Sequence, residues 1–406
     1  MIMKSPIILL IVLLLSGAAV AKYSGGSGTA QDPYLIATPN DLNSIGLYAA
    51  DWDKHFKMTA DINMAGITGE QFNIIGSTSP YFRGVFDGNG HSISNFTYNS
   101  ISAYKAGIFG WVSIDSAEIK NLVLICPNVD AGDGENAGSL VGYLYDGKIH
   151  SCTVVDCSVS GRNFIGGLVG TNRQGEIYSS SASGNVNGLY DGIGGLAGHN
   201  RGLIQSCWSS GGSIKANGSW NKYVGGLVGY NSGGGQILAS FSGNQVSGHS
   251  SIGGLVGGNG ACTIQNCYSF SNVDANEYVG GLVGGNWGTI VNCYAAAAID
   301  GESEVGAFCG HNASSAVYIA CYWDLDIVPD FNGLGSGNDP NVIGLPTSEL
   351  QKRATFADAG WSMVNVWDIG ENQTYPFLRT HLPSDINKDD ETNLYDLVIL
   401  AENWLE

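Results

Sequence analysis

Six residues near the end of the chain have the oxygen chemistry of a cation loop: Asp385, Asn387, Asp389, Glu391, Asn393 and Asp396. Counted from Asp385, side-chain oxygens fall at positions 1, 3, 5, 9 and 12, and the Glu391 carbonyl falls at position 7. A hard cation that takes six to eight oxygens, calcium before others, needs that spacing. The stretch that follows repeats Leu394, Leu397, Val398, Ala401, Trp404 and Leu405 at helical spacing, so an acidic loop leads into an amphipathic helix. Calcium is the one cofactor expected. Asp390 stands where glycine normally takes the left-handed turn, a substitution that costs about 1 kcal/mol and weakens the site.

A second candidate site is aromatic. Trp208, Tyr268, Tyr294 and Tyr322 each follow the same position of a repeated unit, and on an alternating strand they face outward where their neighbours face in. Such a stripe could bind the flat face of a sugar, or it could be a cross-coil ladder that stabilises the sheet. The ladder is the favoured expectation. No catalytic residues are expected. Hydrolysis needs two carboxylates facing each other across a substrate, yet Asp133, Asp191, Asp274 and Asp300 are scattered at turns, as are Arg162, Arg173 and Arg201.

Both candidates must be positioned by the feature that dominates the chain. A Gly-Gly-Leu-Val-Gly motif or a near copy ends at Gly110, Gly142, Gly170, Gly198, Gly229, Gly257, Gly284 and Gly310, at intervals of 26 to 32 residues. A period of this size means one supersecondary unit stacked on itself, each copy covering the apolar face of the next. Within a copy, three short extended segments are separated by glycine or asparagine turns, without helical periodicity. Identical units following head to tail align their strands in parallel. The expected fold is all-β: a right-handed parallel β-helix with three strands per coil.

Stacking predicts columns. Leu140, Leu168, Leu196, Leu227, Leu255 and Leu282, with Ile108 and Phe308 at the ends, should fill the interior. Cys152, Cys207, Ser240, Cys267, Cys293 and Cys321 form a second column, and Val186, Val246 and Val273 a third. Nine cysteines in an exported chain invite disulfides. Five at one repeat position instead favour a reduced inward ladder, with Cys152/Cys157 or Cys262/Cys267 as the best bridge candidates. Asn172, Asn200, Asn231, Asn259, Asn286 and Asn312 predict an asparagine ladder at one corner, with a polar stripe for sugar recognition as the alternative. His199 and His311 lack a clustered third ligand and read as exposed turn residues.

The outer bounds fit an exported rod. Met1 to Ala21 reads as a signal peptide, with Lys4, an apolar run and Ala19-Val20-Ala21. No later stretch reaches membrane length. A net charge of −19 makes nucleic acid and anionic membranes poor partners and divalent cations plausible ones. The expected division is 1–21 signal peptide, 22–105 amino-terminal cap and first coils, 106–325 repeat β-helix, 326–380 capping segment, and 381–406 calcium loop and helix.

The repeats, especially Ile165 to Gly170, Val224 to Gly229, Ile252 to Gly257 and Val279 to Gly284, resemble the GLUG motif of bacterial surface proteins, including adhesins and regions attached to some IgA-cleaving metallopeptidases. Segments from Gly25 to Ile36, Ala60 to Met64 and Phe82 to His91 resemble the part that usually precedes such repeats. The resemblance implies a parallel β-helix in an extracellular setting, and no catalytic residues; no His-Glu-x-x-His occurs. Asp385 to Asp396 resembles one half of a type I dockerin, which implies calcium and a cohesin-like attachment partner, although the partner-binding form has two halves. The function expected is a secreted, non-catalytic surface or matrix protein, a monomer that binds a glycan or cell-surface ligand through the side of the rod. The alternative is a polysaccharide lyase or glycoside hydrolase on the same fold.

Overall fold

The computed structural model describes residues 22–379. The signal segment expected at 1–21 and the calcium loop and helix expected at 381–406 lie outside the described residues.

Each motif forms a four-residue strand, and these strands stack in one eight-stranded sheet running from Phe109–Val112 to Cys309–Asn312. The register places like over like: Val169 pairs with Ala197 and Asn172 with Asn200, then Val228 with Val256 and Asn231 with Asn259. After the motif strand the chain turns into a short strand such as Glu176–Tyr178, then a longer one such as Ser181–Gly188, and returns to the next motif. Every strand pairing along the rod is parallel, and among the described residues the one antiparallel strand pair is Trp367–Asp368 with Phe377–Leu378. The fold is the expected parallel β-helix, of about ten turns.

The corners explain the small polar residues of the repeat. Between the short and the long strand the chain bends at a residue with left-handed φ, at Asn121, Ser151, Ser179, Ser206, Ala239, Asn266, Asn292 and Ala320 in successive turns. That conformation costs a non-glycine residue about 1–2 kcal/mol, and asparagine tolerates it best. Stacking on the turns above and below holds the bend. Within the motif the glycines serve close approach instead: a Cβ on Gly226 would collide with the carbonyl of Gly254 in the next turn.

The interior is built from the expected columns and one more. Leu140, Leu168, Leu196, Leu227, Leu255 and Leu282, with Ile108 and Phe308, are completely buried. Val186, Val246 and Val273 are buried as well, and the column extends through Val159, Ile214 and Ile299. The unanticipated column is Ile119, Ile149, Ile177, Ile204, Ile237, Ile264 and Ile290, the central residues of the short strands, stacked in register and fully buried. Each such side chain contributes roughly 2 kcal/mol of burial.

All nine cysteines are free, so neither candidate bridge forms; Cys126 is exposed and the other eight are buried. The inward ladder is satisfied by backbone carbonyls, as Cys207 Sγ donates to Gln205 O at 3.2 Å and lies 3.5 Å from Ile177 O.

The ends are closed differently. At the amino-terminal end the helix Pro39–Leu47 begins with a capping box between Thr38 and Asp41, buries Leu42 and Ile45, and is pinned by Trp52 Nε1 donating to Ile45 O at 2.7 Å. At the other end, Val342–Leu345 adds a parallel strand to Cys321–Asp324. Capping is only part of what the segment expected at 326–380 does. Beyond Pro346 it leaves the end of the rod and folds along its flank.

Candidate functional site

The flank is where the first aromatic candidate lies. Trp208, Phe241, Tyr268 and Tyr294 occupy one register position in four successive turns. Their rings stack at 6.1, 4.8 and 5.1 Å with interplanar angles of 3°, 2° and 9°, which is a cross-coil ladder. They face out of the coil, as expected, but not into solvent. Phe356, Trp361, Met363, Trp367 and Leu378 pack over them, leaving Tyr268, Tyr294 and Tyr322 at most 6% exposed and Trp208 partly buried. Burial pushes the Tyr268 and Tyr294 hydroxyls far above the usual phenol range. The favoured ladder is what forms, and the alternative in which Trp208, Tyr268, Tyr294 and Tyr322 bind a ligand is corrected: their rings are the floor of a second hydrophobic core. The 34 residues of covering chain carry no repeat signal, so only the fold could reveal the lid.

The asparagine corner is also structural. Asn172 Nδ2 donates to Asn200 Oδ1 at 2.8 Å, Asn200 to Asn231 at 2.9 Å, Asn231 to Asn259 at 2.9 Å and Asn259 to Asn286 at 2.8 Å. All five are fully buried. The polar-stripe alternative falls with that burial, since an amide already paired inside the coil offers nothing to a sugar.

The uncovered surface is the outer face of the motif sheet, where the residue between the motif glycine and the asparagine points outward. In successive turns this is Trp111, Tyr143, Thr171, His199, Tyr230, Gly258, Gly285 and His311. Partly buried rings line part of it, between stretches where Thr171, Gly258 and Gly285 are buried. Tyr81 stacks on Trp111 at 4.1 Å and 8°, Trp111 lies 4.8 Å from Tyr143 and 6.0 Å from Tyr145, and Tyr223 stacks on Tyr230 at 4.4 Å. Lys105 Nζ sits 4.1 Å from the Trp111 centroid, and the Arg173 guanidinium 4.9 Å from Tyr145, both within cation–π range. This band escaped the sequence reading, which followed the cysteine position. Its signal is the alternation at the end of Val-Gly-x-Asn, where x must face away from the inward asparagine beside it.

His199 and His311 belong to this face, which corrects their reading as exposed turn residues. Each lies within a motif strand. His199 is stacked between Phe164 at 5.1 Å and Tyr230 at 5.5 Å, and burial with the nearby Arg201 lowers its pKa to about 4, so it is neutral at pH 7. His311 Nδ1 meets Glu304 at 2.8 Å. Among the described residues no group of three or more His, Cys, Asp or Glu side chains is arranged to hold a metal.

One cleft, of about 440 Å³, opens at the corner before the motif strand. Asp274 and Asp300 are stacked in register on its wall, with Ser247, His249, Asn276 and Glu302. Trp220, 76% exposed, leans on His249 at 5.1 Å.

A family model for the GLUG motif matches residues 165–187, 248–274 and 275–300. Those three stretches of the repeat are GLUG motifs. Among curated proteins, this chain is similar to halomucin of Haloquadratum walsbyi, at 34% identity over 165 residues, 39% of this chain and 2% of that one. It is also similar to a protein of Evansella cellulosilytica described as a candidate Gly-rich membrane protein, at 30% identity over 125 residues, 30% of this chain and 14% of that one. The chain thus spans a small fraction of either relative. Among solved structures, a Bacteroides ovatus protein described as a candidate immunoglobulin A1 protease superposes with a TM-score of 0.52 at 21% identity, over 88% of this chain and 96% of its own. That likeness is one of fold. No helix among the described residues is long and apolar enough to cross a membrane.

Proposed function

We propose that this chain is a non-catalytic protein of the cell surface or extracellular matrix that adheres by binding glycan along the side of its GLUG β-helix. One observation carries the reading: the flank aromatics Tyr268, Tyr294 and Tyr322 are sealed by the chain's own carboxy-terminal segment, whereas the motif face keeps a band of partly accessible rings. Aromatic faces with hydrogen-bonding edges suit weak contacts repeated along a polymer, and repetition turns weak contacts into useful avidity. The GLUG relatives, a halomucin and a Gly-rich membrane protein by name, support a surface setting. The tail at Asp385, Asn387, Asp389, Glu391, Asn393 and Asp396 is assigned calcium, and through it attachment to a cohesin-like partner or assembly.

The hydrolase reading has one observation in its favour, the register pair Asp274 and Asp300 in the cleft. Both project from the same face of adjacent strands and both are exposed. Retaining hydrolysis needs carboxylates about 5–5.5 Å apart on opposite sides of the scissile bond, and side-by-side groups do not straddle a substrate.

The test is a glycan-array screen with and without calcium, paired with reducing-sugar release from pectin and related polymers. Binding without product release is expected. Release at enzymatic rates would overturn the proposal.

A further inference from the structure

We propose that the glycan held by the motif face is an acidic polysaccharide, gripped through its carboxylates by Lys105, Arg173 and Arg201; this rests on the adhesive reading above and names its ligand class.

Charge segregation is the first argument. In a chain of net charge −19, the outward positions of the motif strands carry no carboxylate from Trp111 to His311. The residues that follow the motif asparagine in two successive turns are Arg173 and Arg201, stacked by the hydrogen bond from Arg201 N to Asn172 O. Lys105 precedes the motif strand Phe109–Val112, two turns before that of Arg173. None of the three forms an ion pair among the described residues, whereas most other basic side chains, from Lys22 to Arg379, do. Of the carboxylates flanking the face, Glu135 accepts from Asn163 Nδ2 at 2.9 Å, Asp146 from Gly147 N at 2.8 Å, and Glu304 meets His311 at 2.8 Å.

The second argument is preorganisation. The Lys105 ammonium rests 4.1 Å from the Trp111 centroid and 5.9 Å from that of Tyr143, and Arg173 lies over Tyr145. A ring face attracts a cation without consuming its N–H donors, so the charge is fixed in place and still free to donate. Part of the ordering entropy of a long basic side chain is thereby lost before the ligand arrives. Arg173 and Arg201 sit at one position of successive turns, which repeat about every 4.8 Å, and form a short row that Lys105 joins across the Trp111 and Tyr145 rings, 6.0 Å apart. A linear polymer with a carboxylate on each sugar matches such a row, whereas a neutral glycan leaves the three charges unanswered.

The experiment compares polygalacturonate with fully methyl-esterified pectin, which shares the backbone and lacks the charge. Binding of the full chain is measured by calorimetry in EDTA, so that calcium cannot bridge tail and polymer. The acid form is expected to bind at least tenfold more tightly than the ester, and to weaken as salt rises from about 50 to 500 mM and screening shortens. Arg201→Glu is the decisive variant, because its side chain is exposed and touches no ring; it should weaken the acid form severalfold while leaving the melting temperature and ester binding unchanged. Lys105→Gln with Arg173→Gln should weaken it further. Equal affinity for acid and ester would overturn the ligand assignment and leave the adhesive reading standing. Binding of neither polymer, with no hit on a neutral glycan array, would overturn both.

Discussion

The hydroxyl of Tyr294 donates to the carbonyl of Pro376 at 2.7 Å, joining residues 82 apart in sequence. That bond ties the aromatic ladder of the flank to the segment that covers it, and Tyr375 reinforces it by stacking on Tyr294 at 6.0 Å and donating to the buried Asp324 at 2.5 Å. The covering segment is therefore part of the folded unit.

Removing this cover should be costly in proportion to what packs there. Tyr294→Phe loses one net hydrogen bond, about 1 kcal/mol, whereas Trp367→Ala opens a cavity beneath a fully buried indole and should cost about 3–5 kcal/mol. Urea denaturation gives both numbers. Limited proteolysis should cut the region after Pro346 in Trp367→Ala and spare it in the parent; a Trp367→Ala protein with parental stability would show that the flank contact contributes nothing.

The asparagine ladder gives a second expectation. Asn231 accepts from Asn200 and donates to Asn259, so Asn231→Ala strands a buried donor on one side and a buried acceptor on the other. The expected loss is about 2–4 kcal/mol. Asn217→Ala, at an exposed position, should stay within about 0.5 kcal/mol. Similar losses in the two variants would remove the ladder from the list of stabilising features.

Much of this was legible in the sequence, and the boundary is physical. Leu168, Leu196 and Leu227 sit in an invariant glycine frame, so their period announces a column. The isoleucines do not: Ile149, Ile177 and Ile204 lie between His, Lys, Tyr, Leu and Gln neighbours that vary with each turn, and a single residue per turn carries no local pattern. The outward direction of Tyr268 and Tyr294 followed from alternation alone. Whether solvent or protein lies beyond them depended on a non-repeating segment some 50 to 110 residues away, and no spacing rule reaches that far. Trp111 and Tyr143 needed only the same alternation applied to the motif strand.

The buried thiols set a pH limit. Burial pushes Cys152, Cys207 and Cys321 from the ordinary value of 9.0 up to about 12. Their folded pKa lies above the unfolded one, so between pH 9 and 12 the unfolded chain releases protons that the folded chain keeps. The stability is fully present below pH 9 and declines as pH rises toward 12. Denaturant midpoints at stepped pH should show the decline, and Cys207→Ser should shallow it. In native protein near pH 8 a thiol reagent should label Cys126 quickly and the other eight only after unfolding. Fewer than nine thiols after unfolding without reductant would mean a disulfide and contradict the reduced ladder.

The proposed calcium loop has a separate check. Asp385→Ala should lower the calcium stoichiometry of the full chain by one, read by titration calorimetry, because position 1 supplies a carboxylate the site needs. Equal stoichiometry in variant and parent would remove the loop assignment without touching the β-helix.

The most direct measurement sets the two aromatic faces against each other. Glycan binding of the parent is compared with Tyr143→Ala and Tyr230→Ala on the motif face and with Trp208→Ala on the flank, each variant first shown to melt with the parent's cooperativity. Binding should fall at least fivefold in the motif-face variants and stay within twofold of the parent in Trp208→Ala. Loss confined to Trp208→Ala would place the ligand on the flank and contradict the account.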